Sequence, residues 1–279
     1  MLREFASLPE VQRIEALATR IETPCGDGTM AWRRWGEGPP LVLLHGGSGS
    51  WNHWLRNVEA LSREHTVYAA DLPGCGESAL PAGARDADSI HQYVAAGIAQ
   101  CTGGVPVELV AFSFGTIVAG FIAAGRPELV RRLHLVGAAG LGLGRPQLDL
   151  QPLSPSMDSA GREAVIRSNM ESLMVLHPLA LDETALALHG ANMQRDRLRR
   201  RRISRTAVMI ELQPRWQCPV HAIWGRGDVI VRDHLGALPA ALAGCDLREL
   251  TLVTDAGHWV QYERAGEFNA LLLRGLASA

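Results

Sequence analysis

The sequence contains no lysine, so all 27 of its basic residues are arginine. This absence excludes Schiff-base catalysis, which needs a lysine amine. An excess of charge of one sign is also lacking, because the formal net charge is only -2. A chain so near neutrality has no overall attraction to nucleic acid or to a membrane. We therefore expect a small-molecule substrate, no nucleic-acid partner and no membrane partner. A homo-oligomer is compatible with the sequence.

Cysteine is scarce, since the chain has five, an odd number, and no two of them form a C-x-x-C pair. This argues against a disulfide framework or a zinc site and is typical of a reducing compartment. Residues 1–23 carry several charges and lack the apolar core of a signal peptide. No apolar run approaches the ~20 residues that span a bilayer. The sequence predicts a cytoplasmic protein without a metal or a cofactor.

Hydrophobic residues are plentiful, at 47% of the 279 residues, which is enough for a sizeable core in one large domain. Apolar runs typical of buried strands alternate with helical stretches along the chain. This alternation predicts a mostly parallel sheet with helices on both faces. The strand candidates are 20–23, 30–35, 41–44, 66–70, 107–111, 133–136, 220–224 and 248–253.

The alternation stops after Val136. Residues 139–209 are first rich in Gly, Ala and Pro, then helical in character and rich in arginine, with no strand signal. We interpret 139–209 as an inserted helical cap. The core is then divided into a first part, 1–138, and a second part, 210–279.

One serine stands where a strand candidate gives way abruptly to a helical run of small residues. The segment Ala111-Phe112-Ser113-Phe114-Gly115 is close to the nucleophile elbow G-x-S-x-G, with alanine in place of the first glycine. The flanking residues of such a turn are small because strand and helix nearly touch. The alternative is an ordinary helix start, where serine is common. We predict that Ser113 is a nucleophile.

Glycines follow the strand 41–44, in the segment His45-Gly46-Gly47-Ser48-Gly49-Ser50. Such a loop leaves backbone N–H groups free to stabilise an oxyanion. We predict an oxyanion hole formed by the N–H groups of Gly47 and Phe114. Gly46 and Ser48 are expected to contact substrate, and His45 to hold the loop. A phosphate-binding loop is disfavoured, because the glycine spacing and the lysine of that motif are missing.

Two further polar residues follow strand candidates, so the chain order is Ser113, Asp228, His258. The carboxyl ends of parallel strands share one edge of a sheet, so these side chains can meet there. Histidine accepts a serine proton near neutral pH, and an aspartate fixes its tautomer. We predict a catalytic triad. Asp255 competes for the acid role, but its position three residues before His258 is more typical of turn support.

Five segments together resemble the α/β-hydrolase superfamily, whose triad has the same chain order. The resemblance covers nearly the whole chain outside the insertion and implies an eight-stranded, mostly parallel sheet with an inserted helical cap. The segments are Ala111–Gly115, His45–Gly47, Asp71–Ser78, Trp224–Asp228 and Ala256–His258.

The C-terminal segment from Gly257 to Glu263 is similar to the meta-cleavage-product hydrolases. That resemblance implies hydrolysis of a carbon–carbon bond in vinylogous diketones from aromatic ring cleavage. Epoxide hydrolases and haloalkane dehalogenases share part of the segment, but they use an aspartate nucleophile where Ser113 stands. The carbon–carbon hydrolases usually carry glycine where Ala111 and Thr116 stand.

Arginines cluster late in the predicted cap, at Arg195, Arg197, Arg199 to Arg202 and Arg205. A solvated helix face explains most of them. A nucleic-acid patch is disfavoured, because no aromatic residues interleave to stack bases. The resemblance implies a cap arginine near a substrate carboxylate, and Arg195 is our candidate. Trp259 is a candidate for the pocket wall, although an aromatic residue beside a core strand is more often a packing residue.

The sequence therefore predicts an α/β-hydrolase that acts through acylation of Ser113 and deacylation by water. The favoured substrate is a carbon–carbon diketone acid, and a carboxylic ester or lactone is the alternative. A non-catalytic ligand-binding protein on the same fold is a distant third interpretation, since fold does not fix function.

Overall fold

One eight-stranded sheet organises the chain, in the order β1-β2-β4-β3-β5-β6-β7-β8. The structure is a computed structural model that describes residues 5–144, 146–154, 156–198 and 201–277. The strands are β1 (Thr19–Cys25), β2 (Gly28–Trp35), β3 (Pro40–Leu44), β4 (Thr66–Ala70), β5 (Val107–Phe112), β6 (Val130–Val136), β7 (Val220–Gly225) and β8 (Leu247–Val253).

Strand direction confirms the mostly parallel sheet. β2 runs antiparallel to both β1 and β4, whereas every neighbouring pair from β4 through β3 to β8 is parallel. All residues of the central β5 are buried, and so are all those of β7. Strands buried on both faces read as continuous apolar runs, which is why the sequence pattern reveals them.

Helices cover both faces of the sheet, as predicted. Along β3, Val42 and Leu44 belong to one apolar cluster, whereas Leu41 and Leu43 belong to the other. This alternation follows from the period of two in a strand. The helices are α1 (Pro9–Ala16), α2 (Val58–Leu61), α3 (Ala87–Thr102), α4 (Phe114–Gly125), α5 (Ser159–Leu173), α6 (Glu183–Arg195), α7 (Val208–Leu212), α8 (Leu238–Ala241), α9 (Val260–Glu263) and α10 (Ala265–Ala277).

The described residues between β6 and β7 contain helices and no strand. Two aspartates start the main helices: Asp158 accepts a hydrogen bond from Gly161 N, and Asp182 accepts one from Ala185 N. Such N-caps satisfy backbone donors that a first helical turn leaves free. The boundaries predicted for the cap, 139 and 209, stay a prediction. Arg199 and Arg200 of the arginine cluster lie outside the described residues.

Among the residues that the structure describes, no helix combines the length and the apolar composition needed to cross a bilayer.

Candidate active site

Ser113 occupies a sharp turn between β5 and α4. Its φ of 49° and ψ of -115° lie outside the regions that non-glycine residues prefer. A Cβ added at Gly115 would lie 2.5 Å from the carbonyl oxygen of His45, so only glycine allows this close approach. The Ser113 side chain makes no capping hydrogen bond to the helix. The turn therefore differs from an ordinary serine-capped helix start.

His258 joins the other two predicted triad members. Its Nε2 lies 2.9 Å from Ser113 Oγ, and its Nδ1 lies 2.8 Å from Asp228 Oδ2. Because a carboxylate accepts only, Nδ1 carries the proton and Nε2 is left to accept the serine hydroxyl. Asp228 is 0% exposed, and its other oxygen accepts a hydrogen bond from Ile230 N. This arrangement can remove the hydroxyl proton of Ser113.

Asp255 occupies a different environment from Asp228. Its side chain is 70% exposed and pairs with Arg264 at 3.5 Å. Its φ of 52° marks a left-handed turn position, which aspartate tolerates. The contact with His258 Nδ1 is made by Asp228.

Glu263 supports the loop before His258, a contribution that the sequence analysis did not identify. Its carboxylate accepts hydrogen bonds from the backbone N–H groups of Gly257, Leu176 and His177. The loop is therefore tied both to α9 and to the segment after α5. A glutamate five residues after the histidine was visible in the sequence, but nothing there indicated its partners.

The glycine loop after β3 lies against Ser113. A Cβ at Gly46 would lie 3.1 Å from Ser113 Cβ and 2.9 Å from the Phe112 ring. Phe114 is the first residue of α4, where backbone N–H groups lack helical partners and the helix dipole is positive. Gly47 and Phe114 both line the cavity above Ser113. Their N–H groups can therefore serve an oxyanion.

His45 joins the loops after β3 and β4. Its Nε2 accepts a hydrogen bond from Leu72 N at 2.9 Å, so Nδ1 carries the proton and donates to Gly46 O at 2.7 Å. Burial lowers the pKa of His45 to about 4, so the ring is neutral at pH 7. This geometry fits the loop-holding role expected for His45.

A cavity of about 770 Å³ opens above Ser113 and His258. Its volume is in the range of small-molecule sites. Apolar side chains in its wall include Phe112, Leu143, Leu148, Leu173, Met174 and Ile230, and polar ones are Ser48, Gln147, Arg201, Ser204 and Arg205.

A family profile described as "Alpha/beta hydrolase family" matches residues 41–271. The chain belongs to the alpha/beta hydrolase family. The fold class predicted from the sequence is thereby confirmed, and so is the assignment as an enzyme of the hydrolase class.

Two relatives show the range of proteins to which this hydrolase is similar. The dihydrolipoyllysine-residue acetyltransferase component of the acetoin cleaving system of Pseudomonas putida is 31% identical over 256 residues, covering 85% of this chain and 63% of that protein. The chain thus spans less than two thirds of this relative. A 2-hydroxy-6-oxononadienedioate/2-hydroxy-6-oxononatrienedioate hydrolase of Pseudomonas sp is 28% identical over 263 residues, covering 87% and 89%. Relatives of the second kind confirm the resemblance to the meta-cleavage-product hydrolases.

A solved structure extends the comparison. The crystal structure of a membrane phospholipase A, a novel bacterial virulence factor, matches this hydrolase with a TM-score of 0.77. The match covers 99% of this chain and 92% of that one at 20% identity. At this identity the likeness shows the fold alone.

The residues predicted to bind substrate occupy different places in the hydrolase. Ser48 lines the cavity, and Gly46 packs beside Ser113. Trp259 is 0% exposed, stacks on Tyr262 and donates to His53 O, so it is a packing residue outside the cavity wall. Arg195 is exposed in the last turn of α6, where the helix dipole favours a cation in solvent, and it too lies outside that wall.

Two other arginines of the same cluster line the cavity, Arg201 and Arg205. Arg201 Nη2 lies 2.7 Å from each carboxylate oxygen of Asp196, which neutralises its charge. Arg205 is exposed, and within the described residues no carboxylate lies within 4.0 Å of its guanidinium. The arginine run was visible in the sequence, but its spacing did not indicate which members face inward.

A metal site would need several ligating side chains close together. Within the part of the chain that is described, no group of three or more His, Cys, Asp or Glu side chains could hold a metal ion. The expectation of a hydrolase without a metal or a cofactor stays a prediction.

Proposed function

We propose that this enzyme is a serine hydrolase in which Ser113 is the nucleophile, His258 the general base and Asp228 the acid that orients His258. The observation that carries the proposal is the continuous chain of contacts, 2.9 Å from Ser113 Oγ to His258 and 2.8 Å from His258 to Asp228. The strained turn that holds Ser113 supports it, because strain of this kind is concentrated at functional sites.

Acylation begins when His258 Nε2 takes the hydroxyl proton and Ser113 Oγ attacks a carbonyl carbon. The carbonyl oxygen then becomes an oxyanion, which the N–H groups of Gly47 and Phe114 stabilise. His258 returns the proton to the leaving group as the bond breaks. Asp228 stabilises the imidazolium between these two transfers.

Deacylation repeats the sequence with water. His258 removes a proton from a water molecule, whose oxygen attacks the acyl-serine. Collapse of the second oxyanion releases a carboxylic acid and returns the proton to Ser113. In sum, the hydroxide of water goes to the acyl carbon and its hydrogen goes to the leaving group.

The favoured substrate is a vinylogous diketone acid cleaved at a carbon–carbon bond. The similarity to relatives named as 2-hydroxy-6-oxononadienedioate hydrolases supports this substrate class. The cavity is compatible with it, since apolar walls can hold the carbon skeleton, and Arg205, which has no carboxylate within 4.0 Å among the described residues, offers a cation for a carboxylate. A carboxylic ester or a lactone would use the same acyl-enzyme steps with an oxygen leaving group, and it is the second candidate.

The decisive experiment has two arms. First, the wild type and Ser113→Ala are treated with a fluorophosphonate probe; we expect covalent labelling of the wild type alone. Second, turnover is measured on yellow ring-fission dienoates and on p-nitrophenyl esters. Higher kcat/KM on the dienoates supports carbon–carbon hydrolysis, and higher kcat/KM on the esters supports the alternative. Equal labelling of both proteins would contradict the role of Ser113, and no labelling or turnover would favour the ligand-binding interpretation.

A further inference from the structure

The segment that follows α6 contacts the loop of the proposed oxyanion hole. Asp196 comes directly after α6 and is only 6% exposed. The hydroxyl of Ser48 donates to Asp196 Oδ2 at 2.7 Å, across a separation of 148 residues in the chain. Ser48 is the neighbour of Gly47, one of the two proposed donors. A residue of the helical insertion is therefore bonded to the loop that must hold the oxyanion.

Arg201 reinforces this contact. Besides pairing with Asp196, its guanidinium carbon lies 5.2 Å from the ring centroid of Phe114, the residue that supplies the other proposed donor. Its Cδ and Nε would lie 3.4 Å from a Cβ added at Gly47. A single ion pair thus packs against both residues whose N–H groups would stabilise the oxyanion.

The backbone conformation of Ser48 indicates why the hydrogen bond to Asp196 matters. Its φ is 47°, in the left-handed region that serine rarely adopts. Such a conformation is strained and persists only where the surroundings hold it. The hydrogen bond from Ser48 Oγ to Asp196 is a contact that can hold it. The buried carboxylate is in turn stabilised by Arg201, because an unpaired charge would be costly there.

We propose that Asp196 is a positioning residue that fixes the oxyanion loop through Ser48 and thereby makes catalysis depend on docking of the helical insertion. The proposal rests on the proposed serine hydrolase chemistry. Donors to an oxyanion act only when they are held where charge develops. A displacement of about 1 Å can cost on the order of a hundredfold in rate. Because the oxyanion exists in the transition state, loss of the link should lower kcat more than it raises KM.

The test is a double-mutant cycle with Ser48→Ala, Asp196→Ala and the double variant, assayed on a neutral p-nitrophenyl ester. We expect each single variant to lower kcat by about tenfold to a hundredfold with KM nearly unchanged. The double variant should be no slower than Asp196→Ala, because the two side chains act as one unit. Asp196→Asn should recover part of the loss, since its amide oxygen can still accept from Ser48. The rate of fluorophosphonate labelling should follow kcat.

The matched control is Asp182→Asn, in another link between the insertion and the core. Asp182 contacts Arg56 and the hydroxyl of Tyr262, away from the oxyanion loop. Asparagine keeps the N-cap of α6. We expect this variant to lower the melting temperature and to leave kcat unchanged.

Three results would overturn the proposal: wild-type kcat in Ser48→Ala, additive losses in the double variant, or an equal loss of kcat in Asp182→Asn. Ser48→Ala and Asp196→Asn decide the matter if Asp196→Ala does not fold, because both retain a polar partner for Arg201. Failure of the proposed function has a different signature, since the wild type itself would then resist fluorophosphonate labelling.

Discussion

Different interactions position the strand-end part of the site and the part contributed by the insertion. Ser113, Asp228 and His258 directly follow or closely follow β5, β7 and β8, and their positions are set by the parallel sheet. The residues after α6 reach the site through side-chain contacts instead, such as the bond between Asp196 and Ser48. The comparison teaches that backbone topology positions the proposed catalytic residues, whereas the surroundings of the substrate depend on side-chain contacts.

The joint between the two parts is polar near the site. Asn52 and Asn192 exchange two hydrogen bonds, of 3.0 and 2.7 Å, and Ser50 adds a third contact to Asn192. All three side chains are buried. Buried hydrogen bonds of this kind demand one relative orientation, because a misaligned partner would leave polar groups unsatisfied. These hydrogen bonds therefore orient the insertion, in addition to the apolar contacts that its helices make with the core.

Removal of the proposed nucleophile, Ser113, should give the largest effect in the strand-end part. We expect Ser113→Ala to lower kcat on the order of 10⁶-fold, the scale found for the subtilisin nucleophile. The melting temperature should change little, because the hydroxyl makes no capping bond to α4. Steady-state kinetics and thermal unfolding measure the two quantities. More than a tenth of wild-type activity on any substrate would contradict the assignment.

Substitution of the proposed triad acid, Asp228, should give the next largest effect. The nearby Asp255 supplies the control. Asp228→Asn should lower kcat by about 10⁴-fold, as in serine proteases, because the amide favours the wrong tautomer of His258. Asp255→Asn should change kcat less than threefold, since its exposed carboxylate contacts Arg264 instead. Both variants are assayed on the same substrate. A reversal of the two effects would mean that Asp255 orients the histidine.

The sequence indicated which residues meet at the strand ends, for a physical reason. Buried parallel strands are continuous apolar runs, so the end of each run marks the sheet edge where polar residues such as Asp228 meet. The glycine at position 115 serves a tertiary contact, the close approach to the His45 carbonyl, but it is visible in the sequence because the elbow pattern has a small residue there. Local patterns therefore contained the fold and the candidate triad.

The sequence could not place the side chains of the insertion. Arg195, Arg201 and Arg205 lie in one basic run, and helical spacing does not distinguish them, because α6 ends at Arg195. Whether a given arginine faces the cavity depends on the irregular chain that follows. Trp259 illustrates the same limit, since adjacency to His258 did not reveal that its ring stacks on Tyr262.

Two exposed arginines of the insertion, Arg195 and Arg205, offer a smaller test. Arg205→Ala should lower kcat/KM for a carboxylate-bearing dienoate by about tenfold, the worth of one charge-assisted contact. Arg195→Ala should leave it unchanged, because its side chain lies outside the cavity wall. Neither substitution should affect a neutral p-nitrophenyl ester. The opposite order would restore Arg195 as the residue that meets the carboxylate.

A last test concerns stability instead of activity and uses His45, in the loop after β3. Burial lowers the pKa of this ring from 6.5 to about 4, so between these values the unfolded chain binds a proton that the folded protein does not. The contribution of His45 to the free energy of unfolding is therefore complete above pH 6.5. It falls by about 3 kcal/mol on acidification toward pH 4. His45→Gln keeps an acceptor for Leu72 N–H but removes the titration. We expect urea unfolding of this variant to depend less steeply on pH across that window than in wild type.

His177→Gln, which replaces an exposed histidine of the insertion, is the control and should match the wild-type slope. Identical slopes for all three proteins would show that His45 does not contribute to the acid sensitivity of the fold.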